Sequence, residues 1–139
     1  MTMNGKKKIL VLDDEGSIRD LMDEVLQGIG YEVITADNPS LTAIRAYKAD
    51  AIILDLHMED RNEKLGLDVL IHLWEDTHND IPVIIFSAYA GFQETRDEID
   101  EIERLYGKGR RVYDCICKSE GIQSLTMSIE NLFQVQVKY

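Results

Sequence analysis

The chain has 139 residues, 45% of them apolar, which suits one domain built around one core. Its 26 Asp and Glu outnumber 15 Lys and Arg, and the resulting net charge of −11 argues against a nucleic-acid surface and for a solvated acidic shell. No apolar run approaches the ~20 residues a bilayer span needs, and Met1 to Lys8 is polar and basic, with no signal-peptide core.

Strand and helix signals then alternate along the whole chain. Lys8–Leu12 reads as a buried strand, and Ser17 as the cap of a first helix running to about Ile29. Ile18, Leu21, Met22, Val25 and Leu26 share one face of that helix, and Gly28 and Gly30 end it. Glu32–Ala36 is a half-buried edge strand. Asn38-Pro39-Ser40 opens a second helix reaching about Lys48. Ala51–Leu54 is a third strand, followed by a polar loop over about 56–65. Gly66 to about Asp76 is a third helix, presenting Leu67, Leu70, Ile71 and Trp74.

Pro82 precedes a fourth strand, Val83–Phe86. Gln93 to about Tyr106 is a fourth helix, with Ile99, Ile102, Leu105 and Tyr106 inward. Tyr113–Cys117 is a fifth strand. Gly121 to about Val135 is the last helix, using Ile122, Leu125, Ile129, Leu132 and Phe133. The tail from Val135 to Tyr139 alternates like a strand. Strict alternation predicts an α/β fold with a doubly wound five-stranded parallel sheet and helices on both faces.

Four of these strands end in polar residues: Asp13-Asp14, Asp55, Ser87 and Lys118. Ligands of open α/β sheets bind at the carboxyl edge, where strands end. A carboxylate cluster, a hydroxyl and a lysine meeting there suggest magnesium and phosphoryl chemistry. Singly, Asp13-Asp14 suits a solvated turn, Lys118 a surface lysine and Ser87 a backbone-satisfying hydroxyl. Their common edge favours the functional reading. Tyr89, two past Ser87, is a rim residue, and Asp37 is a turn residue on the edge strand. Cys115 and Cys117 share one strand face, so a disulfide between them is disfavoured. Small buried hydrophobes in a reducing cytoplasm are the simpler reading. Gly107-Lys108-Gly109-Arg110-Arg111 lacks the Walker spacing and precedes a strand, so it reads as a basic turn on the amino edge.

In these pieces the chain resembles the receiver domain of two-component response regulators. The resemblance is carried by Ile9-Leu10-Val11-Leu12-Asp13-Asp14-Glu15, Gly30-Tyr31-Glu32-Val33, Ile53-Leu54-Asp55-Leu56-His57-Met58, Gly66-Leu67-Asp68-Val69-Leu70, Pro82-Val83-Ile84-Ile85-Phe86-Ser87-Ala88 and Lys118-Ser119. It implies a flavodoxin-like fold of strand order 2-1-3-4-5. It implies Asp55 as phosphoacceptor from a sensor histidine kinase or phosphotransfer protein. Mg²⁺ would be held by Asp14, Asp55 and the backbone carbonyl of His57, with Asp13 acting partly through water. Lys118 would pair with a phosphoryl oxygen, and Ser87 would hydrogen-bond the phosphoryl group.

The expected partners are that kinase and a downstream protein target, with no nucleic acid and no membrane. The expected setting is the cytoplasm. The whole chain is read as one receiver domain, its core over about residues 7–134, either standing alone or excised from a longer regulator.

Several positions depart from the family pattern. Glu59 follows Met58, and Ser119 follows Lys118, where the family usually has Pro. The loop to Gly66 is longer and more charged than usual. The interval from Ser87 to Lys118 is also long, which lengthens the fourth helix or its following loop. Cys115 stands where an aromatic is typical. Two rival readings are a scaffold of this fold that is never phosphorylated and an aspartate-nucleophile phosphohydrolase. The second usually needs another Asp where His57 stands.

Overall fold

The computed structural model describes residues 6–36, 47–56, 65–76 and 80–137. The strands are β1 (Lys8–Leu12), β2 (Glu32–Ala36), β3 (Ala51–Leu54), β4 (Val83–Ser87) and β5 (Asp114–Cys117). The helices are α1 (Gly16–Gly28), α2 (Leu65–Glu75), α3 (Gln93–Tyr106) and α4 (Ile122–Val137), with a short 3₁₀ turn at Lys118–Glu120. These match the first, third, fourth and fifth helices expected from sequence. The expected second helix up to residue 46, the turn residue Asp37 and most of the loop over 56–65 lie outside the described residues.

All five strands are parallel, in the expected order β2-β1-β3-β4-β5. Side chains alternate across a strand, so each strand feeds two cores. Leu10, Leu12, Ile52, Leu54, Val83 and Ile85 point to one face, where α2 and α3 cover them with Leu67, Leu70, Trp74, Ile99 and Ile102. Ile9, Val11, Ile53, Ile84, Phe86 and Ile116 point to the other, against Met22 and Leu26 of α1 and Leu125, Ile129 and Phe133 of α4. That two-sided demand is why β3 and β4 are apolar at every core position, and all four residues of β3 are buried. Each such side chain contributes roughly 1.5–3 kcal/mol by leaving water.

Register is what positions the site. Leu12 of β1 lies beside Leu54 of β3, so the residues that follow, Asp13 and Asp55, emerge side by side. Asp55 N–H donates to the Leu12 carbonyl at 3.0 Å, and Asp13 N–H to the Ala36 carbonyl at 3.1 Å. After α1 the chain reverses through Gly30 at φ 110°, a left-handed conformation that favours glycine.

Five local expectations fail. Ser17 does not cap α1: the helix starts at Gly16, and its capping position, Glu15, makes no side-chain cap bond. Leu21 and Leu105 are 44% and 54% exposed, because the sheet covers a narrower stripe of each helix than periodicity allots. The tail is no strand through Val137, since α4 continues to that residue. Cys115 and Cys117 are free thiols as expected, but both are only half-buried. Among the described residues no helix is long and apolar enough to cross a membrane.

Candidate functional site

Asp13 and Asp14 follow β1 directly, and Asp55 follows β3. Asp13 and Asp55 are buried, at 1% and 5% exposure, whereas Asp14 faces solvent. One carboxylate oxygen from each of the three lies within 4.8 Å of the others. Two unit charges ~4 Å apart repel by about 4 kcal/mol at an effective dielectric near 20, so the trio needs compensation.

Lys118 supplies part of it. It leads the turn after β5, and its ammonium lies 2.9 Å from Asp13 Oδ2, 3.4 Å from Asp55 Oδ2 and 3.4 Å from Glu15 Oε1. Burial opposes the lysine's charge, but the bonds and charges of Asp13 and Asp55 outweigh it and raise its pKa. One ammonium does not balance three carboxylates. Burial raises the Asp13 pKa, against the lowering pull of the Glu15 N–H and Lys118. Asp14, although solvent reaches it, is also raised, by partial desolvation and then by the charge of Asp55.

The remaining deficit is visible at one atom. Asp13 Oδ1 accepts the Glu15 N–H at 3.0 Å. Oδ2 is buried and accepts no aligned hydrogen bond, although Lys118 lies close enough for an ion pair. A hard cation with oxygen ligands suits this set: three convergent carboxylates and a buried lone pair with room for another partner.

Ser87 ends β4 and is fully buried. Ile85 pairs with Leu54, which puts Ser87 one residue beyond the level of Asp55 along the neighbouring strand. Its Oγ accepts the Tyr89 N–H at 3.2 Å, a local bond that fixes the turn out of β4. Tyr89 stands on the rim, 42% exposed, with its ring edge-on to Phe92 at 5.7 Å. His57 lies outside the described residues. The peptide between Lys118 and Ser119 is trans.

Two contributors had no role assigned from sequence. Glu15 is a third anionic neighbour of Lys118, 103 positions away in the chain. Arg19 donates from Nη1 to the Asp13 carbonyl at 2.9 Å, tying α1 to the end of β1. The available signal was their place in the first turn after Asp13-Asp14.

The family model for the response regulator receiver domain matches residues 9–130. The chain belongs to the response regulator receiver domain family. This receiver is 37% identical over 102 residues to the probable transcriptional regulator ycf27 of Pyropia yezoensis, covering 72% of this chain and 39% of that protein. It is 33% identical over 85 residues to the DNA-binding response regulator MtrA of Mycobacterium tuberculosis, covering 60% and 35%. Among solved structures it is similar to the response regulator TrrA of Thermotoga maritima in complex with Mg²⁺-BeF. The TM-score is 0.70 at 29% identity, over 91% of this chain and 98% of that one.

The receiver spans about two fifths of the length of the ycf27 protein it matches. The names of these relatives correct one expectation, the exclusion of nucleic acid from the partners. The net charge of −11 describes the surface of this chain. MtrA, whose receiver-like stretch is about a third of its length, is named for DNA binding. The acidity of a receiver therefore does not exclude nucleic acid from the partners of a regulator.

Proposed function

We propose that Asp55 accepts a phosphoryl group from the phosphohistidine of a sensor kinase or phosphotransfer protein, in a Mg²⁺-dependent reaction. A carboxylate nucleophile needs no deprotonation. An Asp55 Oδ atom forms the new P–O bond while the P–N bond breaks, and the leaving imidazole keeps the electron pair. Lys118, 3.4 Å from Asp55, is placed to bind a phosphoryl oxygen as charge builds. The hydroxyl hydrogen of Ser87 is its donor to the same group, since Oγ already accepts from Tyr89. Asp13, Asp14, Asp55 and the carbonyl of His57 would hold the ion. When bound, Mg²⁺ supplies neutralisation of the phosphoryl oxygens.

Water then hydrolyses the acyl phosphate and resets the domain. The chain is a phosphoacceptor and not a turnover enzyme, works in the cytoplasm, folds as one receiver domain, and signals by altered protein binding. The observation that carries this reading is the Lys118 ammonium set against Asp13 and Asp55, two of three mutually close carboxylates. The Mg²⁺-BeF complex of the similar TrrA supports the choice of ion.

The experiment is phosphorylation by acetyl phosphate with Mg²⁺, read by intact-mass spectrometry. Wild type is expected to gain one phosphoryl group, EDTA to prevent it, and Asp55→Asn to gain none. Equal labelling of the two proteins overturns the assignment.

A further inference from the structure

A second recessed surface lies away from the carboxylate pocket, between α2 and α3. It is a groove of about 390 Å³. Its floor is Leu67 and Ile71, one helical turn apart on α2, and Ile102 on α3. Its rim is Asp68 on one side and Asp97, Glu98 and Glu101 on the other, so among the described residues every charged one lining it is acidic. Gln93 donates to Asp97 at 2.8 Å, and Arg104 pairs with Glu101 at 2.7 Å in a solvent-exposed contact. Exposed pairs of that kind are worth little, and a better-placed cation displaces them.

We propose that this groove docks a basic amphipathic helix of a partner protein. An apolar floor takes aliphatic or aromatic side chains spaced along one helix face, and an acidic rim takes the Lys or Arg flanking them. The charge pattern decides against two other occupants. A second copy of the chain brings a net charge of −11 to an acidic rim. A nucleic-acid backbone meets the same repulsion. The groove also has a physical link to the carboxylate pocket. α3 begins at Gln93, shortly after the Ser87–Tyr89 turn that ends β4. The inference does not rest on phosphorylation of Asp55.

The test uses the full chain, unphosphorylated, and a fluorescein-labelled helical peptide of Leu and Lys with Leu at helical spacing. Its counterpart has Glu in place of Lys. Binding is followed by fluorescence anisotropy. Asp97→Lys with Glu101→Lys should weaken the Leu/Lys peptide at least about tenfold. Asp20→Lys with Glu24→Lys changes the net charge equally on the exposed face of α1, and should weaken it by less than about threefold. Ile71→Gln, which keeps the charge, should also weaken it several-fold. All three proteins are checked for the wild-type circular dichroism spectrum, and the exposed rim pair carries the test if Ile71→Gln folds poorly. Equal losses from the α1 and α3 pairs overturn the proposal by showing a general field effect, and equal binding of the Glu peptide overturns it by showing that the acidic rim plays no part. Sedimentation showing a dimer that the α3 pair abolishes overturns it in favour of a second copy.

Discussion

Lys118→Ala should cost about 3 kcal/mol of stability at pH 8 and much less at pH 5, because removing one partner of a buried ion pair leaves the other uncompensated. Asp13 is 1% exposed, and its carboxylate pairs with the Lys118 ammonium at 2.9 Å. In wild type the lysine's folded pKa lies above its unfolded one. Its stabilisation is therefore fully present below the unfolded value, near 10.4, and is lost only as pH rises through the folded value. Wild type thus keeps the pair across the physiological range.

In the variant the balance moves to Asp13. Its carboxyl is already raised by burial, and loss of the lysine raises it further. A carboxyl with a raised folded pKa makes the folded state bind protons that the unfolded state has released. Stability then falls as pH climbs from the unfolded value, near 3.9, through the folded one. Urea unfolding at the two pH values reads the difference directly. Lys118→Met keeps the aliphatic stem and should show the same pH dependence. An equal loss at both pH values, restored by methionine, would show that lost packing and not lost charge is responsible. Phosphorylation by acetyl phosphate should fall in both variants, since each lacks the cation facing Asp55.

Much of this arrangement was legible in the residues. Ile52 to Leu54 and Val83 to Phe86 are unbroken apolar runs, which only a strand buried on both faces requires, and both landed in the sheet interior. β2 and β3 fell on the predicted residues because short polar breaks bound them. Once parallel pairing is granted, Leu12 beside Leu54 brings Asp13 to Asp55, so the site follows from register.

The failures are those of contacts that no local pattern encodes. Glu15 had no role assigned from sequence, but its carboxylate reaches Lys118 from the far end of the chain. Ser17 has a good capping side chain, yet the chain enters α1 two residues earlier, with Glu15 at the capping position and its N–H bound by the Asp13 carboxylate. Leu105 fits the helical period of α3 but stays 54% exposed. Val135 and Val137 alternate, but a five-residue alternation is too short to override a helix already anchored by Leu132 and Phe133.

Mg²⁺ should raise the melting temperature by about 10 °C at a concentration a hundred times its dissociation constant. That follows from about 2.7 kcal/mol of linkage and roughly 3–4 °C per kcal/mol for a chain of this size. The same ion should do nothing for Asp14→Asn, which removes one of the three converging carboxylates. Without the ion the variant should be the more stable protein once all three carboxylates are ionised, since one of three repelling charges is gone.

The sign follows from two raised carboxyls. Asp13 and Asp14 both have folded pKa values above their unfolded ones. Between those values the folded state holds more protons, so the ion-free protein weakens as pH rises through that window and stays weakened above it. The gain in Asp14→Asn is modest, because solvent screens the exposed Asp14. Melting curves of both proteins, with EDTA and with Mg²⁺, form a complete cycle. Wild type should show a rise that grows with the ion, and Asp14→Asn a higher baseline and a flat response. If Mg²⁺ lifts both proteins equally, the ion acts elsewhere on an acidic surface and these carboxylates are not its ligands.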